Sequence, residues 1–165
     1  MKILVLNGSP KGDYSITLQT VNYLAELYRE HSFETIHVGK YIKKYEKDMS
    51  EAVTALESAD LILFSYPVYT FMAPYQLHRF IELIKESGIN LKGKYATQLS
   101  TSKHFYDVTA HRYIQDNCHD MGLKFVRGLS ADMDDLTKKK GHTTYDLKSF
   151  FTRIRLRMSL MLQQV

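Results

Sequence analysis

The sequence predicts an α/β protein, an open parallel sheet with helices on both faces. Three observations point there. Short apolar runs alternate strictly with longer segments of helical periodicity, five of each. The run Leu61–Phe64 is apolar throughout, as in a central parallel strand covered on both faces. The least generic loops follow the first, third and fourth strands, where such sheets bind ligands.

The elements follow in order. Lys2–Leu6 reads as a short buried strand. Ser15–Glu30 carries Leu18, Val21, Leu24, Ala25 and Tyr28 at helical spacing. Phe33–Val38 alternates and reads as the second strand. Ser50–Ala59 reads as a shorter helix, with Ser50 as its cap, Glu51 at its positive end, and Val53 and Leu56 inward. After the third strand, Pro74 suits the first residue of a helix with Leu77, Phe80, Ile81 and Ile84 inside and Gly88 as its stop. Tyr95–Leu99 is the fourth strand, Asp107–Met121 a helix stopped by Gly122, and Leu123–Leu129 the fifth strand. Tyr145–Leu162 is the last helix, with Leu147, Phe150, Phe151, Ile154, Met158 and Met161 on one side. Asp132–His142 is the most polar stretch and reads as a loop. The expectation is one domain over residues 1–165, alone or as a module of a longer chain.

Composition narrows the function. A content of 44% hydrophobic and 24% charged residues is that of a globular domain. No apolar run approaches the roughly 20 residues of a membrane span, and the opening "MKILVLNGSP" is too short for a signal-peptide core. A cytoplasmic protein without membrane contact is expected. The single cysteine, Cys118, excludes an internal disulfide and a four-cysteine cluster. It lies on an apolar helical face and reads as packed rather than nucleophilic. No metal site is expected from the seven histidines, which lack ligand spacing. The net charge of +4 raises the question of nucleic acid, but Lys40–Lys47, Lys138–Lys140 and Arg153–Arg157 read as solvated faces.

The chemistry is expected in three loops. "LNGSPKGDYSIT" surrounds a helix N-terminus with Gly8, the hydroxyls of Ser9, Ser15 and Thr17, and the cation of Lys11. Free N–H groups and the helix dipole favour an anion there, and a phosphate monoester is the natural guest. It is neither a Gly-Lys-Ser/Thr nucleotide loop nor a GxGxxG fingerprint. The same residues would also serve an ordinary capped turn. "YPVYTFMAP" places Pro67, Val68, Tyr69, Thr70, Phe71 and Met72 after the central strand. Such a lip suits a planar hydrophobic ring, with backbone groups near Val68–Thr70 at its edge, or packing under a helix or in an interface. Ser100, Thr101, Ser102, Lys103, His104 and Phe105 offer hydroxyls, charge and an aromatic for the ring's far edge, or plain loop polarity.

On these motifs the chain resembles the flavodoxin-like NADPH-dependent FMN reductases. Gly-Ser-Pro-Lys with a following Ser-x-Thr resembles their phosphate loop, and "DLILFSYPVYTFMAPYQLHRFIE" their second signature. The likeness is close over about the first 85 residues. It implies a flavodoxin-like three-layer sandwich with a five-stranded parallel sheet of order 2-1-3-4-5. It implies that Ser9, Lys11, Ser15, Thr17 and the backbone of Ile16 hold the FMN phosphate. Pro67 to Met72 would border the isoalloxazine, and Ser100 to His104 its other side. Ile16 stands where the family often has Asn, and Phe71 and Met72 where it often has small residues. The single cysteine excludes the related iron–sulfur flavoproteins.

The resemblance further implies FMN as cofactor, NADPH or NADH as co-substrate, and a small-molecule acceptor such as a quinone or a second flavin. It implies a homodimer or homotetramer. No side chain is expected to act as a dedicated acid or base, because the hydride chemistry belongs to the cofactor. A flavodoxin-type electron-transfer module and a flavin-free binding domain are the alternatives.

Overall fold

The computed structural model describes residues 1–103, 106–132 and 148–156. The strands are β1 Lys2–Asn7, β2 Ser32–Ile36, β3 Leu61–Pro67, β4 Tyr95–Ser102, β5 Lys124–Phe125 and β6 Leu129–Asp132. The helices are α1 Ile16–Leu27, α2 Val38–Tyr45, α3 Ser50–Ser58, α4 Tyr75–Glu86 and α5 Val108–Asp120, with residues 148–156 also helical. All strand pairs are parallel, in the order β2-β1-β3-β4-β5, and β6 also pairs with β4. This is the flavodoxin-like arrangement expected from the sequence.

Side-chain alternation divides the core into two layers. Ile3, Val5, Leu61, Leu63 and Leu99 face Leu18, Val21 and Leu24 of α1 and Phe150, Phe151 and Ile154 of the last helical segment. Leu4, Leu6, Ile62, Phe64 and Ala96 face Leu56, Leu77, Phe80, Ile81, Ile84 and Ile114. Each large side chain buried this way contributes about 1.5–3 kcal/mol. With both faces covered, the strands have no polar side to show as alternation, which is why β3 reads as a plain apolar run.

Three local expectations are corrected. The connection between β2 and β3 holds two helices, because Lys40–Lys47 is not only a solvated face. Its lysines are exposed, but Val38 and Tyr45 are buried, and the Tyr45 ring meets Phe80 edge-on at 5.2 Å. Ser50 is the first residue of α3 rather than its cap; Met49 holds the cap position without a side-chain bond, and Asp48 precedes it. The Asp48 carboxylate accepts from the Ser50 amide at 2.9 Å and from its hydroxyl at 2.6 Å. The fifth strand is broken into β5 and β6, since Gly128 crosses β4 so closely that a Cβ there would lie 2.3 Å from Gln98 Cγ.

Of the last helix, residues 145–147 and 157–162 lie outside the described residues. So do residues 133–142 of the polar stretch, His104 and Phe105.

Candidate functional site

The site is built where β1, β3 and β4 end. The first loop is held by the buried Asn7, at the last position of β1. Its Oδ1 accepts from the Ser9 amide at 3.1 Å, which fixes the carboxamide's orientation because an amide N–H can only donate. Nδ2 then donates to the Gly12 carbonyl at 3.0 Å and to Nδ1 of His37 at 3.2 Å. His37 Nδ1 is thereby an acceptor, and its proton sits on Nε2, facing Asp13 Oδ1 at 3.3 Å.

The loop between these anchors is tightly wound. The Gly8 amide donates to Ser65 O at 2.8 Å, and the Gly12 amide to Ser9 O at 3.2 Å. Gly12 has φ +55°, a left-handed conformation that favours glycine. Gly39 at the start of α2 lies directly against the loop. A Cβ there would fall 2.3 Å from the Ser9 carbonyl carbon and 2.5 Å from Gly8 O.

This winding leaves a defined set of donors. Ser15 caps α1, its Oγ accepting from the Leu18 amide at 3.4 Å. The Ile16 and Thr17 amides open the helix, where no preceding turn can satisfy them. Ser9 Oγ accepts from the Lys11 amide at 3.3 Å, so the Ser9 and Ser15 hydroxyls each accept one backbone bond and keep a proton to donate. Thr17 Oγ1 pairs with Thr101 Oγ1 at 2.6 Å and ties this loop to β4. Lys11 is exposed at the rim. Two amides at the positive end of a helix, two hydroxyls and a cation are the donor types that an anion would need.

The second loop differs in kind. The Val68 amide donates to Thr101 O at 2.8 Å. Tyr69 and Met72 exchange backbone bonds of 2.9 and 3.0 Å across a two-residue turn, Thr70-Phe71. Both turn residues have positive φ, 47° and 70°, as a type I′ turn requires. Neither is glycine, so the turn is strained. Of the backbone donors expected near Val68–Thr70, those of Val68 and Tyr69 are committed, and the Thr70 amide remains. Pro67 and Met72 are half-buried, while Tyr69 and Phe71 are 48% and 52% exposed. Phe71 meets Tyr106 edge-to-face at 5.6 Å.

At the end of β4 the hydroxyls diverge. Thr101 faces α1 through Thr17, whereas Ser100 Oγ bonds His111 Nε2 of α5 at 2.6 Å and is turned away from the loops. Ser102 Oγ, like Ser65 Oγ in β3, is buried without a partner among the described residues. Lys103 is exposed. Cys118 is fully buried, and burial pushes its thiol up to about 12.

Sequence reasoning passed over Asn7, His37, Gly39 and Tyr106. Asn7 closing an apolar strand directly before Gly-Ser, and the glycine of "HVGK" after the second strand, were the available signals. No helix among the described residues is long and apolar enough to cross a membrane, and no group of three or more metal-ligating side chains gathers among them.

Comparison with known proteins agrees with this fold. RosB, solved with 8-demethyl-8-formylriboflavin-5'-phosphate, superposes with a TM-score of 0.80 at 13% identity, over 100% of this chain and 81% of that one. An FMN-dependent NADH-azoreductase from Bacillus anthracis, in complex with FMN, gives 0.73 at 17% identity, over 94% and 98%. An NADH:FMN oxidoreductase (EMOB), in its apo form, gives 0.70 at 24% identity, over 93% and 89%. At these identities the likeness establishes the fold. No curated protein matches by sequence. The family model Flavodoxin_2, described as a flavodoxin-like fold, matches residues 1–142, and the chain belongs to that family.

Proposed function

We propose that the protein is an FMN-dependent NAD(P)H oxidoreductase that passes hydride from NADPH or NADH to a quinone, a flavin or a similar small acceptor. The observation that carries this reading is the anion receptor of the first loop, with the Ile16 and Thr17 amides uncommitted and the Ser9 and Ser15 hydroxyls free to donate. A terminal phosphate monoester fits that donor set better than a dinucleotide pyrophosphate, for which the loop lacks the glycines. The structural relatives described as FMN-dependent or NADH-oxidising support the same reading.

Ser9, Lys11, Ser15, Ile16 and Thr17 would hold the phosphate. Pro67, Val68, Tyr69, Thr70, Phe71 and Met72 would border the ring system, with the Thr70 amide offered to its polar edge. Thr101, Ser102, Lys103 and His104 would lie on its other side, and Ser100 would act through its bond to His111. The unpartnered Ser65 and Ser102 hydroxyls fit a polar guest near these strand ends. When bound, FMN supplies two-electron transfer between the nicotinamide and the acceptor. The chain's part is to place the flavin, to shelter one side of it with the Tyr69–Met72 turn, and to offer Lys103 to a pyridine-nucleotide phosphate. The exposed lip of Tyr69, Phe71 and Tyr106 supports assembly as a homodimer or homotetramer, and a cytoplasmic location is part of the same proposal.

Anaerobic stopped-flow mixing of the FMN-loaded protein with NADH and with NADPH tests this. Bleaching of the flavin band within seconds by at least one donor is expected. A flavin that stays oxidised would leave an electron carrier and overturn the reading.

A further inference from the structure

The break in the fifth strand opens a second cleft, away from the first loop. It measures about 580 Å3 and is lined by residues of β4, α5 and the 125–130 segment. That is the size of a small-metabolite site, well beyond a lone water or inorganic ion. It exists because residues 126–128 leave the strand and Gly128 presses on Gln98, while α5 presents His111, Gln115 and His119 one turn apart.

The lining has a definite chemistry. Gln98 is a fixed wall, its Oε1 taken by the Tyr66 hydroxyl at 2.6 Å and its Nε2 by the His111 carbonyl at 3.3 Å. His111 is held by Ser100. Burial, reinforced by the nearby Arg127 charge and opposed by Asp107, lowers the His111 pKa and favours the neutral ring. Arg127 is exposed and forms no ion pair with any described carboxylate. No carboxylate lines the cleft among the described residues. Asp107 is engaged by the Ser130 hydroxyl and faces His111, and Asp120 on α5 is paired with Lys85 at 2.9 Å. Phe125, edge-on to His119 at 6.3 Å, supplies an apolar wall.

We propose that this cleft is a second binding site, for a small organic carboxylate with an aromatic or apolar body. The carboxylate meets the fork of Arg127, which matches it in shape and charge, and Gln115 and His119 supply further donors. The body lies against Phe125 and the Gln98 wall. The site does not depend on the flavin reading.

Titration of the 15N-labelled full chain with benzoate, benzamide and inorganic phosphate tests it. Benzoate is expected to shift amides of 111–130. Benzamide and phosphate are expected to bind at least about tenfold more weakly, since one lacks the charge and the other the body. Arg127→Gln is expected to weaken benzoate by about tenfold or more with the rest of the spectrum unchanged. Shifts confined to 8–17, equal binding of benzamide or phosphate, or unchanged affinity in R127Q would each overturn the proposal.

Discussion

The first and second loops of the mouth are made in opposite ways. The loop from Asn7 to Ser15 is buried at most of its polar positions and wound on itself through Asn7, Ser9 and Gly12. The turn from Tyr69 to Met72 is half in solvent, hangs on two mutual backbone bonds, and holds two non-glycine residues at positive φ. Under the proposed function, the difference teaches which part of the ligand each loop would serve. Charge recognition needs donors fixed in advance, because reorienting dipoles costs the energy that binding would supply. A flat apolar surface needs only area and shape, so it can sit on a strained, exposed turn.

Breaking the rigid loop should have the largest effect. Gly39→Ala puts a methyl inside the Gly8–Ser9 backbone, which must move. FMN affinity is expected to fall about 100-fold, since a shift of about an ångström in a positioned donor set is enough. Stability should fall by about 1–3 kcal/mol from the overpacking. Fluorescence titration and thermal melting read the two effects.

The tie between the loop and β4 comes next. Thr17→Val or Thr101→Val alone leaves a buried hydroxyl unpaired, at about 1–3 kcal/mol in denaturant unfolding. The double variant should cost less than the sum of the two. Full additivity would mean the pair is not coupled.

Sharpening the second loop should work in the other direction. Replacing Thr70-Phe71 by Asn-Gly suits the type I′ geometry and should raise stability by about 1 kcal/mol. FMN affinity should change far less than in G39A. If the two variants lost flavin equally, the contrast between the loops would be wrong.

The smallest effect is a pH slope. Burial lowers the pKa of His78 and of His111 from the ordinary 6.5. As pH falls through 6.5 the unfolded chain takes up these protons first. Stability is therefore full above that value and declines toward the lower folded pKa values. Chemical denaturation between pH 7 and 5 should show the decline, and His111→Gln should flatten part of it.

How much of this could be read from the sequence follows from what each feature depends on. The parallel sheet with helices on both faces rests on β3's unbroken apolar run and on the spacing of Leu77, Phe80, Ile81 and Ile84, which are local patterns, whereas its strand order followed only from the resemblance. The expected anion loop could be proposed from sequence because Gly8, Ser9, Ser15 and Thr17 fall within ten residues of the chain. Its anchors could not, since His37 and Gly39 are about thirty residues away and act by proximity that no local pattern carries. The α2 helix was hidden because only Val38, Ile42 and Tyr45 mark its inner face among lysines. The broken fifth strand depends on a backbone crossing at Gln98, and Leu123–Leu129 alone reads as one strand.

The most direct test of the anion receptor is a paired titration of the ligand-free protein with FMN and with riboflavin, which differ only in the phosphate. FMN is expected to bind at micromolar concentration or tighter, and riboflavin about 100-fold or more weakly, as loss of several charge-assisted bonds demands. Equal affinity for the two, or no FMN binding by folded protein, would contradict a phosphate seated on Ser9, Ser15, Ile16 and Thr17.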